Sequence, residues 1–430
     1  MITFYTATLG CKINQYETRA IGEAWAGGDA REVDTPQEAE LILVNSCAVT
    51  ANAVADLRQS VRRFHRDNPD AAIIITGCAA QIMPDELGAL PGVVRVVSQK
   101  DKPQLLNGPQ STDQPEPGVS RFAPFSISGY GRARAVVKVQ DGCSHNCTYC
   151  IIPTTRGKSI SRPVIDILEE VARLLDSGFR EFILSGINLR HFGRGLEEKI
   201  DFWDLVARLE TEFGQEWGGK ARFRVSSAEP GQLTDKALDV LNGSSMVCPQ
   251  LHLSLQSGDP DVLRAMGRGH YDPRTAVSFL ERLRTHWPVI GLGADFITGF
   301  PGETEAQFEN TMALCRDLPL TYGHIFPYSE RPGTKAVEMA GSVDVPVRKA
   351  RAARLRELVN TKKKDFLQTL LNQSHLDVLV QDTTGRGVCE YYAACRLTSL
   401  PAGAGARSLI RTRPLKLDKN VLVVEPVEIA

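Results

Sequence analysis

The 430-residue sequence predicts an α/β protein in three parts: an N-terminal doubly wound parallel-sheet domain, a central partial (β/α)6 barrel, and a small C-terminal all-β module. Three observations predict it. Apolar strand-like runs alternate with helix-like segments through the first hundred residues or so. The alternation resumes after a Pro- and Gly-rich stretch, with strands spaced by about forty residues, as in parallel barrels. Beyond Gln373 it gives way to short strands and turns. The boundaries expected from these shifts are 1–102, a linker at 103–130, 131–372 and 373–430.

In the first part, residues 2–6, 41–44 and 73–76 read as strands and residues 16–26, 51–66 and 84–90 as helices. Continuous apolar strands mean a sheet covered on both faces. Residues 102–128 are rich in Pro, Gly, Ser and Gln, which suits a linker or a segment packed over the surface. Barrel strands are expected at 135–139, 182–184, 223–225, 251–255, 292–297 and 323–326, with helices such as 165–175, 202–213, 276–284 and 305–314. Six units rather than eight leave such a barrel open on one side. The terminal strands are expected at 376–380, 388–393, 408–413 and 421–424.

Composition excludes several classes. Hydrophobic residues make up 42% and charged residues 23%, enough for a sizeable core and too apolar for disorder. A net charge of -1 gives no whole-molecule field toward nucleic acid or membrane, so any such binding needs a local patch. Residues 348–364 offer one, with eight Lys or Arg against one acid on a helical pattern. They read as a solvated helix face or as a phosphate-binding patch including Arg348, Lys349, Lys362 and Lys363. No run approaches a membrane span, and no basic region precedes the apolar start, so a cytoplasmic protein without a signal peptide is expected.

Ten cysteines are too few for a disulfide scaffold at this length. Cys143-x3-Cys147-x2-Cys150 directly follows the first barrel strand. Three thiolates on one loop suit three irons of a cubane cluster, with the fourth iron open to an outside ligand. The alternative, structural zinc, needs a fourth ligand; His145 sits too close in sequence and no second CxxC exists. Cys11, Cys47 and Cys78 each follow an N-terminal strand. Parallel strands bring their carboxyl ends to one edge, so these three converge on a second three-thiolate site. The alternative is that they are small buried hydrophobes, the reading kept for Cys248, Cys315, Cys389 and Cys395.

Gly299 and Gly302, with Glu303, close one strand and open a helix; the turn lacks the dinucleotide glycine fingerprint and the phosphate-loop lysine. Ser254 and Gln256, two apart on a strand, share a face that points into the barrel or into satisfied core. No Ser–His–Asp set or HExxH helix appears and the eight histidines are scattered, so hydrolase chemistry has no support.

Over nearly its whole length the sequence resembles the radical S-adenosylmethionine methylthiotransferase family. The stretches that carry the resemblance are TLGCKINQYET at 8–18, residues 45–50 and 76–78, GCSHNCTYCIIPTTRG at 142–157, LHLSLQSG at 251–258, ADFITGFPGET at 294–304 and HIFPYSERPGTKA at 324–336. The resemblance implies two [4Fe-4S] clusters, an auxiliary one on Cys11, Cys47 and Cys78 and a radical one on Cys143, Cys147 and Cys150. It implies S-adenosyl-L-methionine beside Ser185, Gly186 and Asn188, the turn with Gly299, Gly302 and Glu303, and Ser254 and Gln256. The terminal module is TRAM-like and implies RNA binding. Residues 10–18 and 326–329 resemble the branch that adds a methylthio group to C2 of N6-threonylcarbamoyladenosine beside the tRNA anticodon. An aromatic C–H bond is beyond acid–base groups, so a radical cofactor fits that chemistry. The implied partners are tRNA, S-adenosylmethionine and an electron donor such as flavodoxin or ferredoxin, with the sulfur donor unidentified. The rival readings are a sister methylthiotransferase acting on isopentenyladenosine tRNA or on a ribosomal-protein aspartate, and a non-catalytic tRNA-binding metalloprotein.

Overall fold

Five parallel strands form the N-terminal layer: β1 (Ile2–Leu9), β2 (Ala30–Glu32), β3 (Leu41–Ser46), β4 (Ala72–Gly77) and β5 (Val93–Val97), in the order β2-β1-β3-β4-β5. The computed structural model describes residues 1–48, 51–113 and 122–429. Helices α1 (Lys12–Ala26), α2 (Ala51–Asp67), α3 (Cys78–Ile82) and α4 (Pro84–Gly88) connect the strands. β3 and β4 are apolar on both faces and lie in the interior of the sheet. The sequence reading missed β2 and β5: the first is three residues, ARE, with no apolar signal, and both are edge strands.

Of the stretch read as a linker or a segment packed over the surface, the described residues from 122 onward form a packed strap. Phe122, Phe125, Ile127 and Tyr130 are buried. The Tyr16 hydroxyl of α1 donates to the Phe125 carbonyl at 2.7 Å and lies 2.8 Å from Glu170 Oε2. Glu170 also accepts from the Ile127 N–H at 3.0 Å and from Arg162 at 2.9 Å. One buried carboxylate thus ties the N-terminal layer, the strap and the barrel helix Val164–Asp176 together. The turn of helix at Lys102–Asn107 opens on a fully buried lysine.

The central part has β6 (Ala135–Lys138), β7 (Gln140–Asp141), α5 (Ile152–Arg156), β8 (Ile160–Ser161), α6 (Val164–Asp176), β9 (Glu181–Ser185), α7 (Phe202–Trp217), β10 (Arg222–Val225) and α8 (Asp235–Gly243). It continues with β11 (Gln250–Gln256), α9 (Pro260–Ala265), α10 (Thr275–Leu283), β12 (Gly291–Thr298), α11 (Glu305–Asp317), β13 (Leu320–Pro327) and α12 (Val345–Leu371). Two parallel sheets, β6-β9-β10 and β11-β12-β13, are joined by bridges at Phe223–Val247 and Ala228–Leu253. Six strands therefore curve into a partial barrel, and α1 packs against its free edge at β6.

The last residues close a five-stranded barrel: β14 (Leu376–Val380), β15 (Arg386–Cys389), β16 (Ala394–Leu397), β17 (Leu409–Asp418) and β18 (Val421–Ile429). The single strand expected at 388–393 is instead β15 and β16 joined by a turn, in which Tyr392 takes a φ of 69°. This module abuts the lower end of the large barrel. Arg222 donates to the Asp377 and Val388 carbonyls and Arg224 to those of Cys389 and Glu390, while both pair with buried Glu181.

Helix α12 corrects the reading of its basic run. Arg348 is 4% exposed, and its guanidinium donates to the Val343 and Tyr328 carbonyls, Ser342 and Glu330. It is a structural clamp, not an RNA contact. Arg351 pairs with Glu303 and Glu305, Arg354 with Glu305 and Glu309, and Arg356 donates to the Ile325 carbonyl. Lys362 donates to the Arg316 carbonyl at 2.7 Å. Neighbouring turns and the helix Glu305–Asp317 supply most of the acids that pair with the run. Among the described residues no helix is long and apolar enough to cross a membrane.

Candidate functional site

Strand register positions the first cysteine set. Leu9 of β1 is level with Ser46 of β3, and Ser46 with Gly77 of β4. Cys11, Cys47 and Cys78 follow these three level residues, so they share the carboxyl edge of adjacent strands. Two glycines permit the approach. A Cβ at Gly10 would lie 3.1 Å from Cys47 Cβ, and one at Gly77, whose φ is +103°, 2.3 Å from the Ser46 carbonyl. Cys11 is exposed, Cys47 half-buried and Cys78 buried. Lys102 and Arg156 lie within electrostatic reach of Cys78, and Arg331 of Cys47. Positive charge near two of the three thiols suits an anionic metal–thiolate group.

Cys143, Cys147 and Cys150 follow β6 and the two-residue β7. Gly142, with φ +66°, makes the turn, where a Cβ would stand 2.1 Å from the Lys158 carbonyl. The Cys143 N–H donates to the Gly157 carbonyl at 3.0 Å, the Cys150 N–H to that of Cys147 at 3.1 Å and the Thr148 N–H to that of Met266 at 3.0 Å. Asn188 Nδ2 approaches Cys143 Sγ at 3.8 Å and Arg268 Nη1 approaches Cys147 Sγ at 3.9 Å. Burial pushes the Cys150 thiol up to about 12 and raises that of Cys143, so bound metal is what would make these groups thiolates. Three sulfurs on one fixed loop with N–H donors aimed at two of them fit a [4Fe-4S] cluster with one open iron.

Beside this loop stands Glu229, which the sequence reading missed. Its carboxylate lies 3.4 Å from His145 Nδ1, 3.3 Å from Arg268 Nη1, 3.4 Å from His270 Nε2, 3.4 Å from Arg190 and 3.2 Å from Asn188 Nδ2. Burial works against its charge, yet the His145 hydrogen bond and the surrounding cations hold it far below the ordinary carboxylate range. His145 is raised to about 9, first by its hydrogen bond with Cys147 and then by Glu229. The histidines are thus not scattered in space: His145 lies 4.4 Å from His191 and 4.8 Å from His270, ring to ring. A signal existed, since Glu229 and Arg268 lie beyond the carboxyl ends of β10 and β11, where barrel sites form.

The remaining candidates divide. Asn188 reaches Cys143 directly, and Ser254 reaches the cysteine loop through Arg268, which donates to its carbonyl at 2.9 Å. Ser185 is buried at the end of β9, and Gly186 is needed because a Cβ would meet Gln140 at 2.9 Å. Gln256 takes a φ of 65° where β11 slips register against β12, so the regular two-residue alternation does not hold there. Gly299 does not leave room for a ligand: a Cβ would strike Arg348 at 2.4 Å. Glu303 turns back, accepting from the Gly299 N–H at 2.6 Å and from Arg351 at 2.9 Å, and the Gly302 N–H donates to Gly341 at 2.7 Å. These three lock the turn against α12, which the sequence reading assigned to cofactor.

The two cysteine sites meet across buried charge. Glu17 of α1 is fully buried and accepts from Lys102 and Lys138 at 2.7 Å and from Arg156 at 2.9 Å. Lys138 and Arg156 also pair with Asp141, two residues before Cys143. Arg156 further donates to Asn14 at 2.6 Å, three residues after Cys11. Helix α3, which begins at Cys78, packs against α5, which begins two residues after Cys150.

Residues 137–315 match the radical SAM superfamily and residues 3–98 match an uncharacterized protein family, UPF0004. The chain is 35% identical over 383 residues to the threonylcarbamoyladenosine tRNA methylthiotransferase MtaB of Bacillus subtilis, covering 87% of this chain and 84% of that one. It is 32% identical to the tRNA-2-methylthio-N(6)-dimethylallyladenosine synthase of Stenotrophomonas maltophilia, over 83% of this chain and 77% of that one. Among solved structures, the radical S-adenosylmethionine methyltransferase TsrM of Kitasatospora setae, holding cobalamin and a [4Fe-4S] cluster, superposes with a TM-score of 0.57 at 14% identity, over 78% of this chain and 77% of that one. That likeness speaks to the fold. The identity, sustained through both cysteine-bearing parts, speaks to more: the chain belongs to the radical S-adenosylmethionine tRNA methylthiotransferases.

Proposed function

We propose that this enzyme adds a methylthio group to C2 of N6-threonylcarbamoyladenosine beside the tRNA anticodon, using a [4Fe-4S] cluster at each cysteine triad. The observation that supports it is the Glu17 charge network, whose cations Lys102, Lys138 and Arg156 link the elements that carry the two cysteine triads. Threonylcarbamoyladenosine is favoured because relatives from Bacillus subtilis, Rickettsia prowazekii and Chlamydia pneumoniae that carry that name match at 34–35% identity.

Loaded with metal, the Cys143, Cys147 and Cys150 site supplies reductive cleavage of S-adenosylmethionine, the one-electron chemistry an aromatic C–H bond requires. The chain's own residues do the rest. Asn188 and Arg268 direct N–H donors at the sulfurs of Cys143 and Cys147. Glu229 holds an ionised carboxylate beside the loop, where it can receive the ammonium or hydroxyls of S-adenosylmethionine, with Ser185, Gly186 and Ser254 lining the neighbouring strand ends. Cys11, Cys47 and Cys78 would hold the auxiliary cluster, which would supply the sulfur. We place the enzyme in the cytoplasm with a flavodoxin- or ferredoxin-type donor.

The test is incubation of reconstituted enzyme with two tRNAs, one threonylcarbamoylated and one isopentenylated, followed by nucleoside mass spectrometry. Methylthio product on the first is expected. Product only on the second moves the chain to the sister branch, and product on neither leaves the ribosomal-protein reading.

Phosphate contact is assigned to exposed Lys349 and half-buried Lys363, whereas Arg348 is buried and Lys362 is tied to the Arg316 carbonyl. The double variant Lys349→Glu, Lys363→Glu should weaken tRNA binding and flatten the slope of log K against log salt by about 2, one per phosphate contact. An unchanged slope removes α12 from the interface.

A further inference from the structure

The inner faces of β11, β12 and β13 carry a ladder of side chains. Gln250 and Tyr322 form its lowest rung, His252, Asp295 and His324 the middle, and Ser254, Ile297 and Phe326 the top, nearest the cysteine loops; strand alternation puts each series on one face. The middle rung is tightly built. Tyr322 Oη lies 2.9 Å from Gln250 Nε2 and 3.1 Å from His252 Nδ1. Asp295 Oδ1 lies 2.9 Å from both His252 Nε2 and His324 Nδ1. Gly293 makes this possible: a Cβ there would stand 2.1 Å from the Tyr322 ring and 2.5 Å from His252 Nδ1. Below, Tyr392 rises from the C-terminal module with its ring 5.2 Å from that of Tyr322, in a left-handed backbone that is costly for a non-glycine residue. The guanidinium groups of Arg134 and Arg224 lie 5.4 and 5.1 Å from the Tyr392 ring. From the other side, Lys12 of α1, next to Cys11, brings its ammonium within electrostatic reach of Tyr392, Arg134, Arg224 and Asp295.

The charges in this space do not balance. Asp295 is committed to two imidazoles and Arg224 to Glu181. The buried Nη1 of Arg134 has no hydrogen-bond partner and lies 3.8 Å from Glu181, a carboxylate that Arg222 and Arg224 already occupy at 2.7 and 3.0 Å, and Lys12 makes no ion pair among the described residues. An anion would complete the set. Above it, the side chain of His324 is 57% exposed and Phe326 is 48% exposed, their ring centroids 6.4 Å apart.

We propose that this lumen reads the N6 substituent of the target adenosine, a proposal that rests on the threonylcarbamoyladenosine reading above. The adenine stacks on Phe326, the carbamoyl arm passes His324, and its carboxylate is received by Lys12 and Arg134. An apolar isopentenyl arm would offer these cations no charge partner, so the same pocket disfavours the sister substrate. Tyr392 gives the terminal module a second task, as the floor of the specificity pocket.

The experiment compares kcat/KM of reconstituted enzyme on one tRNA carrying threonylcarbamoyladenosine as the free acid and as its carboxyl methyl ester. A charge-assisted hydrogen bond predicts that the wild type prefers the acid by about 10- to 100-fold, mainly through KM. Lys12→Met, at wild-type iron content, should bring that ratio near 1, whereas Lys12→Arg should keep it. Arg134→Gln, remote in sequence from every cysteine, should lower the ratio independently and serves if Lys12→Met fails to hold iron. Equal rates on acid and ester by the wild type, or an undiminished ratio in Lys12→Met and Arg134→Gln, overturn the proposal while leaving the nucleoside assignment intact. Activity confined to isopentenylated tRNA overturns both.

Discussion

Replacing Glu17 by Ala is expected to destabilise the protein by about 3–5 kcal/mol, the range for breaking a buried ion pair from one side. Three cations that arrive from three directions depend on this carboxylate. Lys102 comes from the segment before the strap, Lys138 from the end of β6 and Arg156 from α5. Asp141 still serves Lys138 and Arg156, but Lys102 is left with the Asn45 amide oxygen at 3.1 Å as its hydrogen-bond partner. Glu17→Gln should lose nearly as much, because shape is kept and charge is not. Burial alone would raise the Glu17 pKa; Arg156, Lys102 and Lys138 override it and hold it well below the ordinary carboxylate range. The sign follows from that depression. The stabilisation is present above the unfolded-state carboxylate pKa, about 4.3, and is lost as pH falls through the lower folded value. Urea unfolding at pH 7 should therefore show the full difference between wild type and variant, and a difference under about 1 kcal/mol would refute a central role for this residue.

The second large effect separates the two cysteine sites. Anaerobically reconstituted wild type should hold about eight irons, four per cluster, and Cys147→Ala and Cys11→Ala should each hold about four. Cys147→Ala should abolish reductive cleavage of S-adenosylmethionine, and with it all methylthio product. Cys11→Ala should retain cleavage and lose product. Backbone hydrogen bonds from Cys143 to Gly157 and from Thr148 to Met266 keep the loop in place without the Cys147 sulfur, so the loss reports on metal and not on folding. Likewise Cys11 is exposed at a helix start and its sulfur makes one weak contact, 3.6 Å from Asn14. Eight irons in Cys11→Ala would remove the auxiliary cluster from these residues. Cleavage surviving in Cys147→Ala would remove the radical cluster from its loop.

Local chemistry repeated along the chain was legible in the sequence. The apolar runs of β3, β4, β9 and β12 announce buried parallel strands because both faces of each are covered. The Cys143, Cys147 and Cys150 spacing and the placement of Cys11, Cys47 and Cys78 after strands are properties of neighbouring residues, and strand direction carries them to sheet edges. What tertiary structure decided were the pairings between distant elements. A run of eight basic residues on α12 gives no sign that Glu303, Glu305, Glu309 and several backbone carbonyls will consume most of it. The glycine turn at Gly299 reads alike whether a ligand or Arg348 fills the space beside it. His252, Asp295 and His324 lie tens of residues apart, and Lys12 and Tyr392 at opposite ends of the chain; they share one lumen because three adjacent strands, α1 and the terminal module all border it. Periodicity reports which face of an element is buried. It does not report what that face is buried against, and a charge or an imidazole acquires its role only from that partner.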